Sequence, residues 1–363
     1  MQKIFLLLAV ITFVSYNANA QGCVAIRSTG ASCASHQPEL DNSKWQLNAA
    51  YRYFKSFRHF KGQEEQKERL EQQTDVRNYS HSLDLSIAYN INQRFSLALN
   101  VPLLANRRSS LYEHGLVNGT YIKRERRFTE SIGLGDMRLS AYYWLFDPAK
   151  AVRGNIQAGL GIKFATGDYN YQDYWYNVGP NGAPELRTVD QSIQLGDGGT
   201  GIVAEVNAYR TVARNLSVYG NVYYLINPRE VNGTRTYRET LTPALANETI
   251  MSVPDQYMFR AGMNYMKGGW GFSVGGRVDG VPVYDLVGGS EGFRRPGYAV
   301  SVEPGVSYAR GKNNFFVTVP IILERNRTQS VTDKQASKAS GVVRHGDAAF
   351  ADYVVNVGYS VRF

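Results

Sequence analysis

The sequence has few of the residues and segments that helical membrane proteins and metal sites need. Its 363 residues include only 2 cysteines, 5 histidines and 4 tryptophans. After the N-terminus there is no apolar run near the roughly 20 residues that a spanning helix requires, which excludes a helical membrane protein. The 40 basic residues outnumber the 31 acidic ones but are spread along the chain, so nucleic-acid binding has no support. The abundant residues are 35 glycines and 25 tyrosines, which favour β structure.

The first twenty residues have the three parts of a secretory signal. Lys3 precedes an apolar run at 4–14, and a polar stretch ends in Ala-Asn-Ala at 18–20. As a helix, that run would cover only about 16 Å, roughly half of the hydrocarbon core, so a membrane anchor is disfavoured. We predict a signal peptide at 1–20 and an exported chain.

Both cysteines, Cys23 and Cys33, lie in the next segment, 21–43. Exported proteins meet oxidising conditions, so we predict one disulfide between them. Cys23 could alternatively carry a lipid. A metal site would need two further ligands, and only His36 lies nearby, so no metal is predicted.

From Lys44 onward the dominant pattern has a period of two, as where Leu83, Leu85 and Ile87 alternate with polar or small residues. This alternation places an apolar and a polar face on one strand. It recurs often enough to predict twelve strands. These are 44–55, 78–91, 94–104, 131–146, 154–166, 200–212, 215–227, 256–266, 270–280, 298–310, 314–325 and 351–363.

The connections between these strands alternate between long and short. The long ones are 56–77, 105–130, 167–199, 228–255, 281–297 and 326–350. A β-sandwich has no reason to keep this alternation, whereas an outer-membrane barrel has short periplasmic turns and long extracellular loops. We therefore predict an all-β fold: a single 12-stranded antiparallel transmembrane β-barrel of bacterial outer-membrane type at 44–363. Its termini and segment 21–43 would lie in the periplasm, its wall would contact lipid, and twelve-stranded barrels of this kind are commonly monomers.

The last strand is the most specific single feature. Apolar residues alternate from Tyr353 to the terminal Phe363. This resembles the C-terminal strand that the barrel-assembly machinery of Gram-negative bacteria recognises. Phe363 is thus the predicted assembly signal.

Counting by parity places twelve charged residues on the lumen face, six basic and six acidic. They are Arg52, Arg138, Lys163, Arg260, Arg277, Arg362, Asp84, Asp136, Glu205, Asp279, Glu303 and Glu324. One interpretation is an ion-pair network that holds the barrel's shape. The other is a balanced constriction that prefers neither strong anions nor strong cations and passes neutral or weakly charged organic molecules.

Three glycine-rich pieces invite a comparison with a known family: Gly133–Asp136, Gly159–Asp168 and Leu195–Gly199. They resemble strand-edge signatures of the outer-membrane transporters associated with the meta-pathway of phenol degradation, although Ala165 replaces a proline common in that family. The resemblance implies a channel for small, often aromatic or hydrophobic, compounds. Each glycine also has a structural interpretation, because glycines relieve crowding at a barrel rim.

Two loops have unusual composition. Loop 167–199 carries five aromatic residues within eight positions, namely Tyr169, Tyr171, Tyr174, Trp175 and Tyr176. They could form a substrate-collecting mouth or simply pack the loop and extend the aromatic girdle. Loop 281–297 is too apolar for full solvation and could fold into the lumen or pack against neighbouring loops.

An enzyme is not predicted. Of the five histidines only His81 lies on a predicted strand, and its same-face neighbour is Leu83 rather than a serine that could form a catalytic pair. The sequence predicts a channel that needs no cofactor. An accessory barrel that binds another envelope protein remains the alternative.

Overall fold

The computed structural model describes residues 43–111, 114, 126–236 and 241–363. The predicted signal peptide and the predicted Cys23–Cys33 disulfide lie outside these residues. Within the described part, no helix is long and apolar enough to cross a membrane.

Twelve antiparallel strands form one closed barrel, as predicted. Each strand pairs with its sequence neighbour, and two strands are interrupted and consist of two pieces. The strands are β1 (Trp45–Lys61), β2 (Arg77–Asn90), β3 (Phe95–Ser110), β4 (Arg127–Leu134 and Arg138–Trp144), β5 (Gly154–Lys163), β6 (Gly201–Ala213), β7 (Leu216–Ile226), β8 (Gln256–Lys267), β9 (Trp270–Val281), β10 (Gly297–Arg310), β11 (Asn313–Thr318 and Ile321–Asn326) and β12 (Ala348–Arg362).

The barrel closes where the last strand meets the first. β12 pairs with β1 along its length, from Gln46 opposite Arg362 to Phe60 opposite Ala348. At the end of this seam, the Trp45 and Phe363 backbones exchange hydrogen bonds of 3.0 and 2.9 Å. Closure leaves no unpaired edge, which a barrel in lipid requires.

Apolar side chains cover the outer wall, and polar ones fill the inside. Leu83, Leu139 and Phe272 point outward with 38%, 44% and 54% of their surface exposed. Asn221 and Asn264 point inward and are buried. This is the distribution expected of a barrel whose outer wall contacts lipid.

Four strands extend three or more residues further than predicted on the long-loop side. β1 continues to Lys61 and β3 to Ser110, while β4 starts at Arg127 and β12 at Ala348. The predicted loops 56–77 and 105–130 are correspondingly shorter. The backbone ladder continues there, but the outward side chains are no longer consistently apolar, so the sequence pattern that marks a strand is lost.

The prediction that Glu324 faces the lumen is wrong, because a β-bulge interrupts β11. Ser301 pairs with Ile322, whereas the adjacent Val300 pairs with Glu324. Directly opposed residues share a face, so Glu324 lies with Val300 on the outer face. There its carboxylate accepts a hydrogen bond from Tyr298 Oη at 2.7 Å.

Arg325 takes the inward position instead. It is 7% exposed, and its guanidinium donates to the carboxylate of Asp352 at 2.8 Å and to the carbonyl of Ala351 at 3.0 Å. One inserted residue shifts the period of two by one position, so counting by parity fails beyond the bulge.

The long loops contain their own short elements. Helix α2 (Val331–Ser340) is capped by Ser330, whose side chain accepts from the backbone N–H of Asp333 at 3.0 Å. The remaining elements are helix α1 (Glu68–Glu71), strand Glu64–Glu65, the hairpins Gln172–Trp175 with Glu185–Thr188 and Val231–Arg235 with Ile250–Ser252, and the 3-10 turns Pro180–Gly182, Gln191–Ile193 and Pro243–Glu248.

Candidate transport pathway

The longest loop, between β5 and β6, enters the lumen. We call its residues Val189–Asp197 the inward segment. Val189, Asp190 and Ile193 are at most 1% exposed, although they lie on a loop. Ser131 of β4 donates a hydrogen bond to the Ile193 carbonyl. The inward segment therefore packs against the inner wall rather than standing above the barrel.

A buried ion-pair cluster fixes the start of the inward segment. The Asp190 carboxylate accepts two hydrogen bonds from the Arg295 guanidinium, at 2.9 and 2.7 Å. Arg108 of β3 lies 3.5 Å from the same carboxylate and also donates to Asn78 of β2 at 3.0 Å. We call Asp190, Arg108 and Arg295 the clamp. It connects the inward segment to the wall and to the loop between β9 and β10.

The clamp holds Asp190 in its charged form. Burial alone raises the pKa of this carboxyl group, but the opposing charges of Arg108 and Arg295 outweigh burial and lower the pKa well below its usual range. Asp190 is thus an anion across the physiological pH range.

The loop between β9 and β10 contacts the inward segment without filling the lumen itself. Gln191 of the inward segment donates to the carbonyls of Ser252 and Phe293, at 3.1 and 3.0 Å. Leu286 and Val287 of loop 281–297 are 66% and 51% exposed. The tip of this loop is therefore exposed among its neighbouring loops, whereas Arg295 near its end reaches the inward segment, which loop 167–199 supplies.

The three glycine-rich pieces meet at the other end of the inward segment. The Asp136 carboxylate accepts from the backbone N–H groups of Gly167 at 3.0 Å and of Asp197 at 3.1 Å. A Cβ on Gly196 would lie 2.5 Å from that carboxylate and 2.6 Å from the Gly167 carbonyl. Lys163 forms an ion pair with Asp197 and lies 3.6 Å from Asp136. We call this cluster the glycine junction.

The junction gives the sequence pieces a physical role. Because Gly167 and Gly196 have no side chains, their backbones approach each other and the Asp136 carboxylate to distances at which a Cβ would collide. Segments distant in sequence therefore hold the inward segment at its C-terminal end, just as the clamp holds its beginning.

Four of the predicted lumen charges form one cluster on β8, β9 and β10. Arg260 forms an ion pair with Glu303. Arg277 donates to Asp279 at 2.8 Å and lies 3.7 Å from Glu303. These groups are neighbours on one wall and do not face one another across the bore.

The remaining predicted charges lie on other strands. Glu205 on β6 accepts from Tyr142 Oη at 3.1 Å and Asn221 at 3.2 Å. Arg138 on β4 donates to Tyr223 Oη at 3.1 Å. Asp84 accepts from Ser82 on the lumen face of β2 at 3.1 Å, Arg52 is buried on β1, and Arg362 shares the face of the buried Ser360.

Sequence reasoning missed the charged residues that hold the inward segment in the lumen. Asp190, Asp197 and Arg295 lie in loops, where side-chain direction has no period, and Arg108 lies in a stretch predicted to be a loop. The available signal was indirect: the glycine-rich pieces on either side of the inward segment mark backbone crowding.

The aromatic residues of loop 167–199 do not form one surface. Trp175 is 2% exposed and packs 5.8 Å from His114, centroid to centroid. Tyr176 contacts His114 and Arg127, whereas Tyr174 is 55% exposed. Tyr169 lies against Arg229, and Tyr171 accepts a backbone hydrogen bond from Val189. Most of the group packs the loop above the barrel.

A closed twelve-strand barrel with an apolar outer wall and a polar interior defines a bacterial outer-membrane β-barrel, and the outer membrane is where this chain is located. No protein-family model and no curated protein matches the sequence. Among solved structures, the chain is similar to the COG4313 outer membrane channel from Pseudomonas putida F1. The identity is 11%, the match covers 93% of this chain and 100% of that chain, and the TM-score is 0.57. At this identity the similarity shows the fold.

Two further matches have TM-scores below 0.5. The Pseudomonas putida toluene transporter TodX shares 10% identity over 95% of this chain and 96% of that chain, with a TM-score of 0.44. The KdgM porin shares 10% identity over 87% of this chain and 99% of that chain, with a TM-score of 0.36.

Proposed function

We propose that the protein is an outer-membrane channel for small organic molecules, and that the inward segment is its constriction. The observation that carries this proposal is the position of the inward segment inside the barrel, where Val189, Asp190, Ile193 and Leu195 are buried. The segment is fixed at one end by the clamp and at the other by the glycine junction. A barrel with a purely structural role has no need of a loop tied into its lumen at both ends.

The class of solute follows from the size and lining of the lumen. Twelve tilted strands give a backbone radius of about 12 Å, and side chains from both walls narrow the bore considerably. The inward segment narrows it further, so large hydrophilic solutes are excluded. The glycine-rich pieces that resemble those of the phenol-degradation transporters meet at the junction, which supports small aromatic or hydrophobic compounds as substrates.

Channel activity is tested by reconstituting the full chain into planar bilayers and liposomes. We expect small conductance steps and slow swelling with small neutral organic solutes. A variant in which residues 190–195 are replaced by an equally long Gly-Ser segment should conduct several-fold more. If neither protein conducts, the channel proposal fails and an accessory barrel that binds an envelope partner is favoured.

A further inference from the structure

A cavity lies between the inward segment and the inner wall. Its volume is about 150 Å³, and its lining combines residues of the inward segment with residues of β4, β5, β7 and the loop before β8. A cavity of roughly this volume accommodates one benzene ring. The cavity is therefore suited to a molecule with a single small ring or a comparable aliphatic body.

Part of the cavity's lining is apolar. Leu195 of the inward segment, Leu225 of β7 and Met251 of the neighbouring loop contribute side chains to it, together with the ring of Tyr223. Leu225, Met251 and Tyr223 are at most 2% exposed. Burying an apolar ligand against such side chains is favourable because it removes apolar surface from water.

The lining also carries three cations, Arg138, Lys163 and Arg295, and two carboxylates, Asp136 and Asp197. Lys163 and Arg295 face the carboxylates of Asp197 and Asp190. Arg138 donates at 3.1 Å to the phenol oxygen of Tyr223, whose ring is part of the apolar lining. A guanidinium and a phenol group thus lie next to the apolar surface, where a ligand's ring and acidic group could be bound together.

The space above the inward segment has charge of the same sign. A second cavity of about 380 Å³ is lined by five arginines and three carboxylates, with Arg295 shared between the two cavities. The arginines are Arg69, Arg108, Arg295, Arg327 and Arg344. Ion pairs with Asp190, Asp347 and Asp333 compensate most of this charge, and the positive excess that remains raises the local concentration of anions.

Resting on the proposed channel function, we propose that the cavity beneath the inward segment binds a small apolar monocarboxylate, with Arg138 and Tyr223 Oη at the carboxylate and Leu225, Met251 and Leu195 around the apolar body. The arginines above the inward segment attract the anion towards this site. The balanced charges of the lumen face predicted neutral or weakly charged organic solutes, and the cavity narrows this class to small organic monocarboxylates.

Benzoate is the probe, and isothermal titration calorimetry on the full chain in detergent is the measurement. We expect saturable binding of benzoate. Benzyl alcohol, which keeps the ring without the charge, and acetate, which keeps the charge without the ring, should each bind at least about tenfold more weakly. Equal affinity for benzyl alcohol and benzoate would overturn the role of the carboxylate.

Arg138→Gln should weaken benzoate binding roughly 10- to 100-fold, because a charge-assisted hydrogen bond is lost. Arg138→Lys should restore part of it. Met251→Phe keeps every charge but fills the cavity, so it should also weaken binding. The matched control is Arg107→Gln, which removes an arginine from the outer wall, where its side chain is 52% exposed, and should leave binding unchanged.

The results separate this inference from the proposed function. If the native protein conducts ions but does not bind benzoate, the proposed site is contradicted and the channel proposal stands. The same holds if Arg138→Gln binds benzoate as tightly as the native protein does. A protein that binds benzoate but never conducts retains the site and contradicts the channel. Heat-modifiable migration in gels confirms that each variant is a folded barrel.

Discussion

Replacing Asp190 with asparagine should release the start of the inward segment. The carboxylate is fully buried and accepts two hydrogen bonds from Arg295, with Arg108 at 3.5 Å. The variant leaves these two guanidinium groups, 11% and 5% exposed as side chains, without that anion. Breaking a buried ion pair by removing one partner costs about 3–5 kcal/mol.

That cost falls on the docked position of the inward segment, because the barrel ladder does not depend on the clamp. A loss of about 3 kcal/mol raises the ratio of undocked to docked segments by at least about a hundredfold. We therefore expect Asp190→Asn to show larger or more frequent open steps in planar bilayers. Asp168→Asn, which removes an exposed aspartate from the same loop, is the control for loss of charge and should behave as the native protein.

The native clamp also predicts a pH profile. Because the clamp lowers the pKa of Asp190 below its usual value of 3.8, the stabilisation is complete above that value and is lost only as the pH falls below it. The ratio of Asp190→Asn to native conductance should therefore be constant between about pH 5 and pH 8. Unchanged conductance in a folded Asp190→Asn barrel, or a ratio that changes within this pH range, would refute the reasoning.

Three further predictions concern the glycine junction, the charged residues of the lumen face and the C-terminal Phe363. Gly196→Ala should raise conductance in bilayer recordings, because the added methyl group collides with the Asp136 carboxylate and the Gly167 carbonyl oxygen. Gly276→Ala is the control and should leave conductance unchanged, because a Cβ there meets nothing within 4 Å. Replacing Glu205 and Glu303 together with glutamine should tilt selectivity towards anions, and an unchanged reversal potential in a salt gradient would show that these groups do not line the path. Deleting Phe363 should slow barrel assembly, measured as the heat-modifiable fraction after a pulse of synthesis; an unaffected rate would contradict its role as assembly signal.

Short segments of the sequence are sufficient to predict the strands of this fold. In each strand, apolar and polar side chains alternate over about ten residues. The alternation is unambiguous because one face contacts lipid and the other contacts water or polar groups. The strand count, the pairing order and the end with long loops all follow from it. The bulge at Glu324 shows the limit, because one inserted residue in β11 reverses the faces without changing the composition.

The pathway depends on contacts that local patterns do not encode. Asp190 and Arg295 are 105 positions apart in sequence, and neither stands out in its own loop. Loop 281–297 looked suited to the lumen because it is apolar, yet a polar lumen favours the segment that brings Asp190 to the wall's Arg108. Complementarity with the wall, rather than hydropathy, decides which loop enters.

The clamp and the hydrogen bonds of Gln191 join three long loops, predicted to be extracellular, to one another and to the barrel wall. Extracellular loops are ordinarily the parts of a barrel that change freely, because each contacts mainly solvent. Here a mutation in the loop that carries Arg295 would alter the contacts that hold the inward segment, so the sequences of the three loops are constrained to vary together. An antibody or phage that binds one of them from outside the cell would, through these same bonds, act on the lumen.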